Sequence, residues 1–239
     1  TEDESYGYKS KLKIADAVWV DNNLTLQEEF KNSVTNGFGA EVENVDFSAA
    51  EKTCGIINSW CDKNTEGLIP KIITPDLIND TTGLCLTNSL YFESGWSGEP
   101  WNVSDTEEKF GNNEKTKYMT CAGDRYYEND KATAFGREYA NGLSFVGILP
   151  VDEGDFTLED LDIGGLLKSQ PEYDEVQCKM PKLDFETTAI LNDILSSLGL
   201  DNIFSSNADF SGIADKNVNV DTIPVSYTHL RAHETLRHL

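Results

Sequence analysis

The spacing of apolar and polar residues near the start of the chain predicts a strand, a helix and a second strand. Residues 13–20 (KIADAVWV) are an apolar run with β-branched and aromatic members, which is typical of a strand. The sequence TLQE at residues 25–28 matches a capping box and predicts a helix that ends near Gly37. Residues 40–47 (AEVENVDF) then predict a short strand.

Two further helices follow from the same kind of pattern. SAAE at residues 48–51 is a second capping box and predicts a helix behind it. The apolar stripe expected on that helix consists of Ile56, Ile57, Trp60 and Cys61. Residues 188–198 place leucine and isoleucine at helical spacing, and Gly199 is expected to end that third helix.

Short apolar segments separated by Gly, Asn and Asp turns predict antiparallel strands in the middle of the chain. These segments are residues 115–121, 125–127, 132–135 and 143–149. The last of them contains the continuous apolar run LSFVGIL, so we expect it to be buried on both faces. The pattern as a whole predicts a mixed α+β fold in which strands outnumber helices.

The strand predicted at residues 84–92 (LCLTNSLYF) is the most informative one. Because side chains alternate between the two faces of a strand, one face carries Leu84, Leu86, Asn88, Leu90 and Phe92. Four of these side chains are large and apolar, so we expect this face to be buried. A buried amide without a partner costs roughly 1–3 kcal/mol, so Asn88 is expected to bind a specific partner on another element.

Composition limits the classes of function. The 239 residues carry 19 Lys and Arg against 42 Asp and Glu, a net charge of −23, with 38% hydrophobic and 10% aromatic residues. This apolar content is enough for a folded core. The negative charge argues against binding to nucleic acid or to an anionic membrane, because both need a basic face. With no apolar run of about 18 residues, no transmembrane helix is expected.

The sequence lacks the motifs of common catalytic, metal and cofactor sites. All three histidines, His229, His233 and His238, lie at the end of the chain, so a catalytic triad cannot be built from the rest. The segment HETLRH has one residue too many for a zinc-binding HExxH motif. The five cysteines form no CxxC pair, and there is no Walker loop and no GxGxxG. We therefore expect no catalytic, cofactor or metal site, and no enzyme activity.

The composition changes abruptly near the end of the chain. Residues 225–239 (VSYTHLRAHETLRHL) carry two Arg against one Glu, which leaves 17 − 41 = −24 for residues 1–224. The THLRAHE string resembles a translated sequencing adapter. We therefore expect residues 225–239 to be a tail foreign to the domain that residues 1–224 form.

Several segments occur in an order that matches one known family. They are INSW at 57–60 with TEG at 65–67, LTNSLYFESGW at 86–96, MPKL at 180–183, and the segment at 198–213. Together they resemble the serpins, a family of serine-protease inhibitors, in which the first two correspond to helix F and to the third strand of the central sheet. The resemblance runs from about residue 12 to about residue 223.

The resemblance implies a fold and three residue roles. The fold is α+β, with one large central mixed sheet, two smaller sheets and surrounding helices, expected to be incomplete at both ends in this chain. Asn88 matches the asparagine of the serpin shutter, which lies under the point where the central sheet opens. Trp96 and Lys182 match the tryptophan and lysine of the breach, at the top of the same sheet.

The resemblance also implies a mechanism of inhibition. In serpins a protease cleaves an exposed bait loop and forms an acyl-enzyme, and the loop then inserts into the central sheet and distorts the protease. We therefore expect a secreted inhibitor whose partner is a serine-type or cysteine-type endopeptidase. Residues after 223 do not resemble the hinge and bait loop, so the 239-residue chain is expected to be a non-inhibitory fragment that exposes apolar surface and self-associates.

Two alternatives remain open from the sequence. The first is a serpin-fold carrier, chaperone or storage protein that does not inhibit, and the hinge would distinguish it because loop insertion needs small residues there. The second is an unrelated acidic binding domain, which would show cooperative folding of residues 1–224 alone. N-x-S/T triplets begin at Asn23, Asn79 and Asn102 and matter only in a secretory pathway that glycosylates.

Overall fold

The structure is a computed structural model of the 239-residue chain. It describes residues 2–3, 10–110, 114–152, 157, 160–169, 171, 176–183, 186–205, 207–216, 220 and 224–228. These residues form two compact units. The first unit takes its described residues from Thr1–Lys11 and Glu93–Asp184, and the second takes them from Leu12–Phe92 and Phe185–His229.

Twelve strands and four helices occur in the described ranges. In chain order they are β1 Glu2–Asp3, β2 Ser10–Asp21, α1 Glu28–Gly37, β3 Glu41–Val45, α2 Ala50–Asn64, β4 Leu84–Glu93, β5 Asn102–Phe110, β6 Glu114–Ala122, β7 Arg125–Glu128, β8 Ala132–Glu138, β9 Ser144–Pro150, α3 Ile163–Leu166, β10 Gln177–Pro181, β11 Glu186–Ile190, α4 Asn192–Leu195 and β12 Pro224–Thr228. Single turns of 3-10 helix lie at Pro75–Leu77 and Asp201–Phe204, and a π-helical turn lies at Ser196–Leu200.

The largest sheet is mixed and is built around β2. Strand β3 pairs with β2 in parallel, from Ala17 opposite Glu41 to Asp21 opposite Val45, and α1 lies in the connection between them. Strand β1 pairs antiparallel with the beginning of β2, and β4 also pairs with β2. A mixed sheet with helices packed around it agrees with the fold that the resemblance implied.

Helix α2 covers one face of this sheet and forms the core of the second unit. Ile57 and Cys61 are fully buried, and Trp60 meets Trp19 of β2 edge-to-face with ring centroids 6.0 Å apart. The predicted apolar stripe is therefore confirmed at three positions. It is wrong at Ile56, which is 39% exposed because it points away from the sheet, one position around the helix from Ile57.

Neither predicted capping box forms. Helix α1 begins at Glu28 rather than near Thr25, and no side chain caps its first turn. The backbone of Thr25 is used elsewhere, because its N–H donates to Asp215 Oδ1 (2.9 Å) and its carbonyl accepts from Asp215 N (2.9 Å). The second box is replaced by a different contact, in which Thr53 Oγ1 donates to the carbonyl of Asp46 (2.6 Å).

The first unit contains two antiparallel sheets of three strands each. One has the order β10–β6–β5 and the other has the order β7–β8–β9, with Leu166 of α3 fully buried against the second. The predicted strands in this region are confirmed. The expectation that LSFVGIL is buried on both faces is wrong. Leu143 is 48% and Leu149 is 70% exposed, and residues 145–148 are only partly buried, because β9 is an edge strand of its described sheet.

The predicted helix at residues 188–198 is only partly present. Residues 186–190 are strand β11, which pairs antiparallel with β12, and the helix begins at Asn192. This backbone ladder, from Glu186 opposite Thr228 to Ile190 opposite Pro224, overrides the local helical spacing. Gly199 has a φ of 89°, in the left-handed region, as expected of a glycine that ends a helical segment.

A long-range connection holds the start of α1 to the end of the second unit. Leu26 forms an isolated antiparallel bridge with Ala214, and the N–H of Gln27 donates to the carbonyl of Ile213 (2.8 Å). Lys216 Nζ donates to the carbonyl of Asn23 (2.5 Å). None of the helices in the described ranges has the length and apolar content that crossing a membrane requires.

Candidate functional site

Asn88 lies at the middle of β4 and has a partner on the neighbouring strand. Its Nδ2 donates to Asp16 Oδ1 of β2 at 2.8 Å. The sequence predicted a specific partner for this amide, and the structure confirms one. The expected burial is wrong, because Asn88 is exposed, as are Leu86 (67%) and Leu90 (58%) on the same face.

The buried face of β4 is the opposite one. Thr87 and Ser89 are 8% and 3% exposed, and Cys85 packs against the core that α2 covers. The indole Nε1 of Trp19 donates to Thr87 Oγ1 at 3.0 Å in that core. The alternating pattern of β4 is therefore correct but its direction is reversed, because α2 covers the face with the small polar side chains.

The segment after α2 is fixed by one amide side chain. Asn58 Oδ1 accepts from the N–H groups of Ile72 (2.9 Å) and Ile73 (3.0 Å), while its Nδ2 donates to the carbonyl of Ile73 (2.9 Å). Gly67, in the TEG motif, has a φ of 82°, which a glycine adopts without strain. The INSW and TEG motifs thus have a structural reason, which is to hold residues 65–73 against the helix.

Trp96 is the centre of an aromatic cluster in the first unit. It is 7% exposed and stacks on Tyr139 with centroids 4.4 Å apart and planes 19° apart. Trp101 and Phe145 meet it edge-to-face at 5.6 Å and 5.9 Å. Burial raises the pKa of Tyr139 to about 12.

A buried arginine lies over this cluster and was missed by the sequence analysis. Arg137 is 2% exposed, and its guanidinium carbon lies 4.9 Å from the ring centroid of Trp101 and 5.4 Å from that of Trp96. Its Nη2 donates to the carbonyl of Glu99, while its Nη1 is buried and has no hydrogen-bond acceptor among the described residues. Alternation along β8 offered a signal, since Arg137 shares a strand face with Phe135.

Lys182 extends the sheet that contains β10. Its backbone N–H donates to the carbonyl of Lys117 on β6 (2.8 Å), and its carbonyl accepts from Thr116 Oγ1 (3.4 Å). The structure thus places Trp96 and Lys182 in the same unit, and Asn88 in the other one. The shutter and breach roles of these three residues stay predictions. The three histidines lie outside the described residues.

Each unit has one distinct feature near these residues. Among the described residues, the second unit has a sheet face with exposed leucines beside Asn88. The first unit has the aromatic cluster around Trp96, with the buried cation Arg137 over it. Such features stabilise one packing of strands over another.

Comparisons with known proteins are consistent among themselves. A protein-family model described as "Serpin (serine protease inhibitor)" matches residues 4–229. The chain is 31% identical over 220 residues to Serpin-ZX of Hordeum vulgare, which covers 83% of this chain and 54% of that protein. It is also 31% identical over 220 residues to Serpin B10 of Homo sapiens, with 85% of this chain and 55% of that protein covered.

A solved structure described as "Cleaved Serpin 42Da" has the same fold. It superposes with a TM-score of 0.77 at 23% identity, covering 90% of this chain and 61% of that chain. At this identity the likeness shows the fold alone. The chain spans a little over half the length of the curated relatives it matches.

Proposed function

Because this chain belongs to the serpin family, we propose that the whole protein is a suicide inhibitor of serine-type or cysteine-type endopeptidases. The match over residues 4–229 carries the proposal. The partner is then a protease, and the chemistry is supplied by that protease, not by this chain. The description of the family supports an inhibitor, and it does not identify the target protease.

The second unit offers a place where a strand can be added. Strand β4 pairs with β2, and among the described strands none pairs with residues 84–90 on the side away from β2. An open strand edge accepts an extended segment through backbone hydrogen bonds, as in serpin loop insertion. Asn88 lies in this stretch, which supports its proposed role at the opening point.

Adduct formation tests the proposal. Reading the source DNA past position 224 gives the sequence of the whole protein. The whole protein and the 239-residue chain are then expressed in parallel. Each is incubated with trypsin-like, chymotrypsin-like, subtilisin-like and papain-like proteases and run on denaturing gels. We expect a stable covalent adduct with at least one protease for the whole protein. We expect none for the 239-residue chain, in which no segment resembles the hinge and bait loop.

Each other outcome has a distinct meaning. Cleavage of the whole protein without any adduct would favour the carrier or storage alternative. An adduct with the 239-residue chain would show that the chain already contains a working bait loop. A catalytically inactive form of the reactive protease is the control, because it cannot form the acyl-enzyme.

We also propose that the whole protein is secreted and that the 239-residue chain self-associates. The sequon asparagines Asn23, Asn79 and Asn102 are all exposed, so each is available for glycosylation. A leader peptide encoded upstream of Thr1 would support secretion, and its absence from the gene would oppose it. Self-association is supported by the exposed leucines of β4 and is tested below.

A further inference from the structure

Two cysteines of the first unit lie directly opposite each other on neighbouring strands. Cys121 of β6 and Cys178 of β10 are register partners in an antiparallel ladder. Two residues further along, the N–H of Gly123 donates to the carbonyl of Val176 (2.8 Å). Because bonded and non-bonded pairs alternate, Cys121 and Cys178 are a hydrogen-bonded pair, with Cα atoms about 5.5 Å apart. Disulfides span Cα separations of roughly 4.4–6.8 Å, so the backbone separation fits. The β-carbons of a hydrogen-bonded pair lie up to about 5.5 Å apart and must approach to about 3.8 Å, which requires a small shift of β10, an edge strand of its described sheet.

The two cysteines differ in their exposure to solvent, and therefore in how easily a reagent reaches their sulfur atoms. Cys178 is 3% exposed, whereas Cys121 is only partly buried. Gly123 lies beside Cys178, and a β-carbon at that position would be 2.6 Å from Cys178 Sγ. Because Gly123 has no side chain, the sulfur of Cys178 can lie close against β6, the strand that carries Cys121.

The surroundings make Cys121 the nucleophile of the pair. The hydrogen bond from Cys178 lowers the pKa of the Cys121 thiol most. Partial burial opposes this effect, the positive charge of Arg137 adds to it, and the negative charge of Asp124 opposes it least. The same hydrogen bond raises the pKa of Cys178, and Cys178 is also the more buried of the two, so both effects favour Cys121 as the attacking sulfur. A partly exposed thiolate next to a buried cation is the setting of a reactive cysteine.

The other three cysteines lie in surroundings that suppress reaction. Burial raises the pKa of Cys85 to about 12, and burial is also the largest cause of the raised pKa values of Cys54 and Cys61. Cys54 and Cys61 are buried in the core of the second unit. They provide an internal comparison within the same chain.

We propose that Cys121 and Cys178 form a reversible oxidation site that takes a low-molecular-weight disulfide, such as glutathione disulfide, as its oxidant. The Cys121 thiolate attacks one sulfur of glutathione disulfide, which forms a mixed disulfide and releases one glutathione thiolate. That thiolate takes the proton of Cys178. The Cys178 thiolate then attacks Cys121 Sγ and releases the second glutathione. Two thiols are oxidised and one glutathione disulfide is reduced to two glutathiones.

The second step is favoured by the loss of charge in the first. The largest cause that keeps Cys178 protonated is its hydrogen bond to the Cys121 thiolate. The mixed disulfide removes that negative charge, so Cys178 loses its proton more readily. The product ties the edge strand β10 covalently to β6. The oxidation site does not depend on the inhibitor function.

Thiol counting and peptide mapping test the site on the 239-residue protein. After treatment with excess glutathione disulfide, we expect the number of free thiols in denatured protein to fall from five to three. Peptide mapping without reduction should show one linkage, between Cys121 and Cys178, and added glutathione should reverse it. Before oxidation, Cys121 should be alkylated about tenfold faster than any other cysteine.

Single variants separate the two steps. Cys178→Ser should stop at the first step and retain one glutathione on Cys121, whereas Cys121→Ser should take up none. Cys85→Ser is the matched control and should still form the linkage. A disulfide that maps to another pair, or wild-type protein that keeps all five thiols, would overturn the proposal without needing any variant to fold.

Discussion

At the scale of single residues, Trp19 gives a polar side chain of β4 a reason to lie in the core that α2 covers. Its indole is 1% exposed, so its Nε1–H needs an acceptor inside the protein, and Thr87 Oγ1 supplies one at 3.0 Å. A leucine at position 87 would fill the space but leave the indole unpaired. The hydroxyl therefore belongs in the core, and the larger Leu86 and Leu90 point outward.

Replacing Thr87 by valine should cost more stability than removing the amide of Asn88. Valine keeps the shape but leaves Trp19 Nε1 buried without an acceptor, so we expect Thr87→Val to lower the free energy of unfolding by about 1–3 kcal/mol. Asn88→Ala removes an exposed hydrogen bond and should cost about 0.5–1 kcal/mol. Urea denaturation measures both.

Thr87→Ser is the control for that comparison, because it keeps the hydroxyl and should lose less stability than Thr87→Val. A larger loss for Asn88→Ala than for Thr87→Val would contradict the exposed placement of Asn88 and indicate that its face is covered in solution.

At the scale of elements, the predictable parts are those whose own side chains make the core. Helix α2 could be predicted because Ile57, Trp60 and Cys61 recur at helical spacing, and all three are buried. Strand β5 was missed, because most of its residues are exposed and backbone pairing with β6 holds it in place. Residues 188–190 at the end of β11 are predicted to be helical from local spacing alone, because their strand partner β12 lies far away in the sequence.

The candidate site also has one feature that local spacing predicts and others that depend on pairing between distant strands. The need of Asn88 for a partner could be inferred from the strand pattern, but the identity of that partner, Asp16, could not, since it depends on the pairing of β2 with β4. The same holds for Cys121 and Cys178, whose facing positions are set by the register of β6 and β10. Neither pair of strands is joined by a hairpin turn that would set its register, so the spacing within each strand does not show which residues face each other.

Two adjacent isoleucines of α2 provide a matched test of how the helix packs. Ile57 is fully buried and Ile56 is 39% exposed. We expect Ile57→Ala to lower the free energy of unfolding by about 2–5 kcal/mol, because it leaves a cavity between α2 and the sheet. Ile56→Ala should change it by about 0.5 kcal/mol or less. Equal effects in thermal or urea unfolding would contradict the orientation of the helix.

At the scale of the whole molecule, net charge opposes contact between copies and exposed apolar surface favours it. The chain carries a net charge of −23, while Leu86, Leu90 and Ile14 are each more than half exposed on neighbouring strands. Repulsion between copies acts over about 10 Å at 0.1 M salt and less at higher salt. Association should therefore depend on ionic strength.

We expect sedimentation velocity to show larger species of the 239-residue protein as salt is raised. The double variant Leu86→Ser with Leu90→Ser should reduce this association strongly, because it removes the apolar contact surface. Leu149→Ser is the control, since Leu149 is 70% exposed on β9 in the other unit. If both variants reduced association equally, the exposed face of β4 would not be its cause.

The bridge between Leu26 and Ala214 affects the order in which the protein can be completed during synthesis. The second unit is discontinuous, and residues 93–184 of the first unit lie between its two parts in the sequence. The ribosome makes the chain from the N-terminus at about 5–20 residues per second. The partners of Thr25, Leu26 and Gln27 therefore emerge only after those intervening residues have left the ribosome. The part of the protein that is made early is the part that must wait longest for its last contacts.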